Sequence, residues 1–459
     1  MSERSFLSPD AIRTLFSRAM SDMYRREVPQ YGDLVALVAE TNRAALAGDP
    51  ALAERLARTD ALARLDLERH GAIRLGTPAE LATMRRLFAV MGMVPVGYYD
   101  LAAAGVPVHA TAFRPVEDAA LARNPFRVFT SLLRLDLVPE AGLRAEAGAV
   151  LARRRIFTDE ALALVDRAER AGGLTAAEAG RFVAEALETF RWHREAAVGA
   201  GLYRRLRAVH PLVADVVCFK GPHINHLTPR TLDIDAVQAL MPARGMAAKA
   251  LVEGPPPRRC PILLRQTSFM ALKEPVSFPG EAAPGTHTAR FGEVEQRGLA
   301  LTAKGRDLYD RLLAEARAGG GDEGHDTRLR DAFRAFPDDE ASLRRQGLGI
   351  FRYALTAAGR AAAGRDGALA RRGIADLVAS GHAEAEPITY EDFLPVSAAG
   401  IFRSNLGDAH RDGTAARGGD RPGFEAALGA PVLDETALYL AAERRSCDSV
   451  LALIRGQAA

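Results

Sequence analysis

Cysteine is almost missing from this chain. Three residues in 459 (Cys218, Cys260 and Cys447) lie far apart and show no CxxC spacing. An odd, scattered count excludes a disulfide framework and a thiolate zinc site, and reads as reduced cytosolic thiols. Long apolar runs are missing too. The longest, "LFAVMGMVPVGYY" at 87–99, is too short for a membrane span and carries Gly and Pro. The opening "MSERSFLSPD" has no basic segment leading into an apolar one, so no secretory signal is expected and the cytoplasm is the expected location. An excess of one charge is also lacking: 60 basic residues stand against 58 acidic ones, a net charge of +2. There is no Walker loop, no GxGxxG after a strand and no long basic block with interleaved aromatics. Neither nucleic acid nor membrane is therefore an expected partner.

What is present fits a soluble globular chain, with 48% apolar and 26% charged residues. The first ~65 residues have helical spacing, with Ile12, Leu15, Phe16, Ala19, Met20 and Met23 on one face and Ser8 or Asp10 available as cap. "HGAIRLGT" (70–77) is short, apolar and ends in turn residues. "TPAELATMRRLFAVMG" (77–92) predicts a helix, with Thr77 as N-cap, Pro78 first and Glu80 completing a capping box. Strand-like runs follow at 93–101, 106–114 and 126–135. The order is βαβββ. Residues 140–210 read as helical, with a second capping box at Thr175 and Glu178.

The βαβββ order then recurs. "ADVVCFK" (214–220) reads as a strand and 231–242 as a short helix, with strand-like runs at 249–254, 261–272 and 287–298. The class is α+β: paired βαβββ modules with added helical segments. The boundaries fall at 1–66 for an N-terminal helical segment, 67–138 for the first module and 139–212 for a helical insertion. The second module takes 213–300, and a mixed C-terminal region takes 301–459. Within that region "EPITYEDFLPVSAAGIF" (386–402) is apolar enough to be a buried lining, and 407–423 reads as a loop.

Paired modules of this kind can wrap a half-barrel around a metal, with ligands on their first and last strands. His70 opens the first strand of module one. The pair His223 and His226 ends the first strand of module two, and Glu293 and Glu295 lie on its last. Two imidazoles and a carboxylate form a facial triad that leaves three positions open on non-haem Fe(II). Pro222 and Pro229 oppose a helix around the histidine pair. In an extended chain residues three apart face opposite ways, so only one of the two can face inward. Spacing does not say which, and 293 and 295 share a face. His109, His193 and His287 read as hydrogen-bonded core residues, and Glu295 is expected to pair with one of the nearby arginines, for example Arg290 or Arg297. Arg74, four residues after His70, shares its face. It reads either as a surface ion pair or as a fork for a substrate carboxylate.

The segments "ERHGAIRLGT", "VCFKGPHINHLTPRTLDID", "LRQTSF", "HTARFGEVEQRG" and "YEDFLPVSAAGIF" resemble the 2-oxoadipate dioxygenase/decarboxylase family, also called hydroxyglutarate synthase, of the vicinal oxygen chelate superfamily. The resemblance runs from "AMSDMYRREVPQYG" (19–32) to "ERRSCDS" (443–449) and weakens in 319–385 and 407–420. It implies iron ligands at His70, His226 and Glu293, a substrate-binding arginine at Arg74 and a further substrate contact at Val396. The implied reaction takes 2-oxoadipate and O₂ to (R)-2-hydroxyglutarate (D-2-hydroxyglutarate) and CO₂ on Fe(II), in lysine catabolism. Two other readings keep the triad: a different chelate-superfamily enzyme, such as an extradiol-type dioxygenase or a Zn/Ni isomerase, or a non-catalytic metal sensor.

Overall fold

A computed structural model describes residues 5–58, 61–288, 290–318, 324–394 and 419–457. Its largest sheet has seven strands. In spatial order they are Val94–Asp100, Val108–Arg114, Arg127–Leu133, Arg69–Leu75, His226–Pro229, Phe291–Arg297 and Leu264–Ser268. The first four form one βαβββ module around the helix Pro78–Val90. Its first strand, Arg69–Leu75, runs parallel to its last, Arg127–Leu133, and antiparallel to His226–Pro229 of the second module. That joint runs through the middle of a curled half-barrel. Arg69–Leu75 shows no inside–outside alternation because nearly all of it is buried, as expected for a strand covered on both faces.

The second module departs from expectation at its start. "ADVVCFK" is not a strand: Pro211–Cys218 is a helix. Pro211 opens it, and the His210 ring accepts the Leu212 N–H as its cap, so capping and burial override the β-branched valines. The module's first strand is His226–Pro229, a few residues later, followed by the helix Ile234–Leu240. The run at 249–254 forms only one isolated bridge, Glu253 with Gln266, next to another at Ala248 with Phe269. A small hairpin, Lys273–Val276 with Gly285–Thr288, is inserted before the last strand. Its pairing was not foreseen.

The N-terminal helix Pro9–Glu27 is capped by Ser8. Ile12, Phe16, Met20 and Met23 are buried as expected, each contributing about 1.5–3 kcal/mol. Leu15 is instead exposed, and Arg13 is buried. The Arg13 guanidinium donates to the carbonyls of Met91, Ala120 and Asn124, tying the helix to the first module. Tyr24 reaches deeper: its hydroxyl lies 3.0 Å from the Asn225 carbonyl and 2.7 Å from that of Phe291, beside two strands that carry site residues. Thr77 caps the Pro78–Val90 helix, but Glu80 does not close the box on it. Its carboxylate accepts from Gly76 N–H and pairs with Arg154. The Thr175–Glu178 capping box forms as read.

The described chain divides into two compact units. One holds Met1–Glu253, Gln266–Gln296 and Phe393–Leu433, and the other Gly254–Arg265, Arg297–Asp392 and Asp434–Ala459. The second has its own small core of Leu355, Leu369, Leu377, Ala383, Val450 and Ile454. The hairpin Phe351–Leu355 with Ala383–Pro387 and the C-terminal helix Glu435–Ile454 contribute to it. Of the stretch read as a loop at 407–423, the described part begins at 419, and Arg421–Leu428 is helical. All three cysteines are free. Among the described residues no helix is long and apolar enough to cross a membrane.

Candidate metal centre

The sheet register gathers the site. His70 stands opposite Thr228 across the joint between modules, and His226 opposite Phe291 on the next strand pair. Residues two apart on a strand share a face, so His226 joins Thr228 and Glu293 joins Phe291 on the His70 side. Gly71 permits the joint: a Cβ there would meet Ile224 Cδ1 at 2.5 Å and the His226 carbonyl at 3.0 Å.

His70, His226 and Glu293 are all buried, and one ligand atom from each lies within 4.8 Å of the others. His70 Nε2 is 3.0 Å and His226 Nε2 4.0 Å from Glu293 Oε1. That oxygen also accepts from Thr228 Oγ1 (3.2 Å) and Gln266 Nε2 (2.6 Å). Glu293 Oε2 and both ring nitrogens of His226 are buried with no hydrogen-bond partner among the described residues. Leaving such groups unpaired costs about 1–3 kcal/mol each, a cost that coordination of a metal would remove. Burial takes the His226 pKa down to about 4, which Glu293 opposes and the charges of His70 and Arg74 reinforce. At neutral pH it is an unprotonated imidazole, the form that ligates. Burial alone would raise the Glu293 pKa, but His226 and His70 outweigh it and hold the carboxyl below its usual range. Two neutral-capable imidazoles and one carboxylate, with orphaned donor atoms turned together, fit a divalent non-haem metal.

Behind the triad, Glu295 faces a histidine and an arginine. Its Oε2 lies 2.9 Å from His70 Nδ1, at ion-pair distance but off the line of a hydrogen bond, and its Oε1 lies 3.8 Å from Arg127 Nη1. Arg290 pairs with Glu27 and Glu274, and Arg297 donates to the carbonyls of Tyr390 and Asp392. Burial pulls the His70 pKa down, but Glu295 and Glu293 together raise it above the ordinary value. Behind Glu295, buried Glu68 gathers Arg64, Arg127 and Arg230. A carboxylate on the far nitrogen fixes a ligating histidine's tautomer and ring plane, and losing it typically costs 10–100-fold in metal affinity. Glu295→Gln, which keeps the shape, is therefore expected to weaken metal binding roughly 10-fold or more. A metal titration monitored calorimetrically checks this, and unchanged affinity would remove Glu295 from the centre.

Arg74 is not on the surface. Its side chain is 13% exposed, and Nη1 donates to Asp215 Oδ2 at 2.7 Å. His223 lies on this side too, 3.5 Å from Asp215 Oδ1, hydrogen-bonded to Asn225 and packed edge-on to Trp192. His287 is buried and hydrogen-bonded, as read, and His109 is buried beside Tyr98. Phe393 packs edge-on to His70 at 4.9 Å between ring centres, with its N–H donated to the Tyr99 hydroxyl. The lining role read into 386–402 thus holds at Phe393. Val396 lies outside the described residues. Sequence reasoning passed over Asp215, though it is the only charged residue in an otherwise apolar helix, "PLVADVVC".

The family model for 2-oxoadipate dioxygenase/decarboxylase matches residues 16–405. The chain belongs to this family. A 2-oxoadipate dioxygenase/decarboxylase of Escherichia coli K12 is 57% identical over 441 residues, covering 96% of this chain and 98% of that protein. One of Pseudomonas putida is 57% identical over 456 residues, 97% of each. The crystal structure of the hydroxyglutarate synthase from P. putida in complex with 2-oxoadipate matches with a TM-score of 0.90 at 57% identity. That match covers 98% of this chain and 99% of the other. The 2-oxoadipate dioxygenase/decarboxylase family assignment therefore spans both halves of the seven-stranded sheet.

Proposed function

We propose that the chain is an Fe(II)-dependent dioxygenase that converts 2-oxoadipate and O₂ to (R)-2-hydroxyglutarate and CO₂, a step of lysine breakdown. The observation that carries the reading is the buried set His70, His226 and Glu293 with its orphaned donor atoms, in a chain of this family. The equation balances without a co-substrate. The C1–C2 bond breaks and C1 leaves as CO₂. The former carbonyl carbon becomes a carboxylate, the neighbouring carbon gains a hydroxyl, and each of the two takes one atom of O₂.

His70, His226 and Glu293 would hold the iron, which when bound would supply the activation of O₂, while the four electrons come from the substrate's C1–C2 and C–H bonds. Glu295 keeps Nε2 of His70 turned toward the centre by engaging Nδ1. Arg74, on the same strand as His70, anchors a substrate carboxylate through its planar donor fork. Phe393, packed on the His70 ring, and Phe291, whose ring lies 5.0 Å from that of His226, keep water from the ligands.

The test loads purified protein with Fe(II) without air, then adds 2-oxoadipate and O₂. Uptake of O₂ matched by CO₂ release and D-2-hydroxyglutarate is expected. No uptake with Fe(II) and 2-oxoadipate sinks the substrate assignment. Uptake without CO₂ would point to an extradiol-type reaction.

A further inference from the structure

Three buried side chains, Tyr203, His287 and Asp215, form a chain of contacts that ends at Arg74. The Tyr203 hydroxyl is 2.9 Å from His287 Nδ1, and His287 Nε2 is 2.9 Å from Asp215 Oδ1. The other carboxylate oxygen, Oδ2, receives Arg74 Nη1 at 2.7 Å. An ionised Asp215 accepts only, so His287 Nε2–H and Arg74 Nη1–H each donate to it, one to each oxygen. Tyr203, Asp215 and His287 come from a helix, a second helix and a hairpin strand, none adjacent in sequence to the strand that carries Arg74. We propose that Asp215, backed by His287 and Tyr203, is the positioning residue that sets the pose of Arg74 for a substrate carboxylate. The proposal rests on the functional reading above and deepens it.

A neutralising role alone would ask only for a carboxylate somewhere near the arginine. The geometry is more restrictive. Asp215 Oδ1 faces His287 at 2.9 Å and His223 at 3.5 Å while Oδ2 receives Arg74, so the carboxylate plane is held from both sides. An arginine presents five N–H donors in one rigid plane. Tying one terminal nitrogen therefore aims the rest of the fork, whereas a freely rotating side chain would spread it over many rotamers. The anchor on which Arg74 rests is firmly charged. Burial alone would raise the Asp215 pKa, but His223, His287 and Arg74 hold the carboxyl well below its usual range. Burial takes the His223 pKa down to about 3, against the pull of Asp215 itself.

The deciding experiment uses the full-length, iron-loaded enzyme as wild type, Asp215→Asn, Arg74→Ala and the double variant. O₂-uptake kinetics and anaerobic calorimetric binding of 2-oxoadipate are both recorded. Asp215→Asn is expected to raise KM and the dissociation constant about 10-fold or more, since it removes a charge-assisted hydrogen bond. kcat and iron content should change much less. In the Arg74→Ala background the same change should shift KM by less than about twofold, because the residue acts only through Arg74. Effects that multiply in the double variant, or an unchanged KM with lowered kcat and iron content, would overturn the proposal. Should Asp215→Asn fail to fold, His287→Gln, which keeps the aspartate, decides: a raised KM supports positioning and an unchanged KM refutes it. A wild type that binds 2-oxoadipate through Arg74 but takes up no O₂ would defeat the functional reading while the binding arm still settles the role of Asp215.

Discussion

His226→Ala should abolish metal binding and O₂ uptake together while leaving the metal-free fold almost as stable as before. Both ring nitrogens of His226 are buried without a hydrogen-bond partner among the described residues. Truncation therefore breaks no protein hydrogen bond and relieves unpaired polar groups that cost about 1–3 kcal/mol, which offsets much of the packing lost beside Phe291 and His70. His223→Ala should behave in the opposite way. It loses contacts to Asn225, Asp215 and Trp192, so the metal-free protein should melt earlier. Yet it should still bind one metal per chain. A ligand present at 100 times its dissociation constant stabilises by about 2.7 kcal/mol, so the Tm rise on adding Fe(II) without air reads the difference directly. That rise should vanish in His226→Ala and survive in His223→Ala. A His226→Ala protein that still gains Tm with iron would remove this histidine from the centre.

The two histidines also show how far the sequence could be read. That only one of "HINH" faces the cup follows from extended geometry. Which one it is depends on where the strand begins, and that was misplaced: the valines of 214–220 lie in the helix Pro211–Cys218, and the strand starts at His226. The side-chain period fixes faces only once the register is known. His70 and Arg74 were legible as one face of one strand, and Glu293 and Glu295 likewise. What could not be read was the division of labour between the glutamates, because it depends on which His70 nitrogen each one meets. The long-range partners of Arg74 were equally out of reach. Asp215 lies 141 residues on, and neither periodicity nor spacing carries information over that distance.

Arg74→Lys should cost roughly 10²-fold in kcat/KM, about 2.7 kcal/mol, most of it in KM and with iron content unchanged. The exchange keeps the charge and would be mild at a surface ion pair, where such pairs contribute about 0–1 kcal/mol. Here the side chain is largely buried, and one terminal nitrogen is committed to Asp215 at 2.7 Å. A guanidinium can hold that carboxylate and present other donors of the same plane to a second one. An ammonium is a single compact charge on a shorter reach, so Asp215 and the substrate would compete for it. Asp215 is already in place, held by His287, and should win. Steady-state O₂ uptake across a range of 2-oxoadipate concentrations, with anaerobic binding beside it, measures the loss. A lysine variant with the wild-type KM would mean that charge alone is needed at this position and that the planar fork is not what holds the substrate.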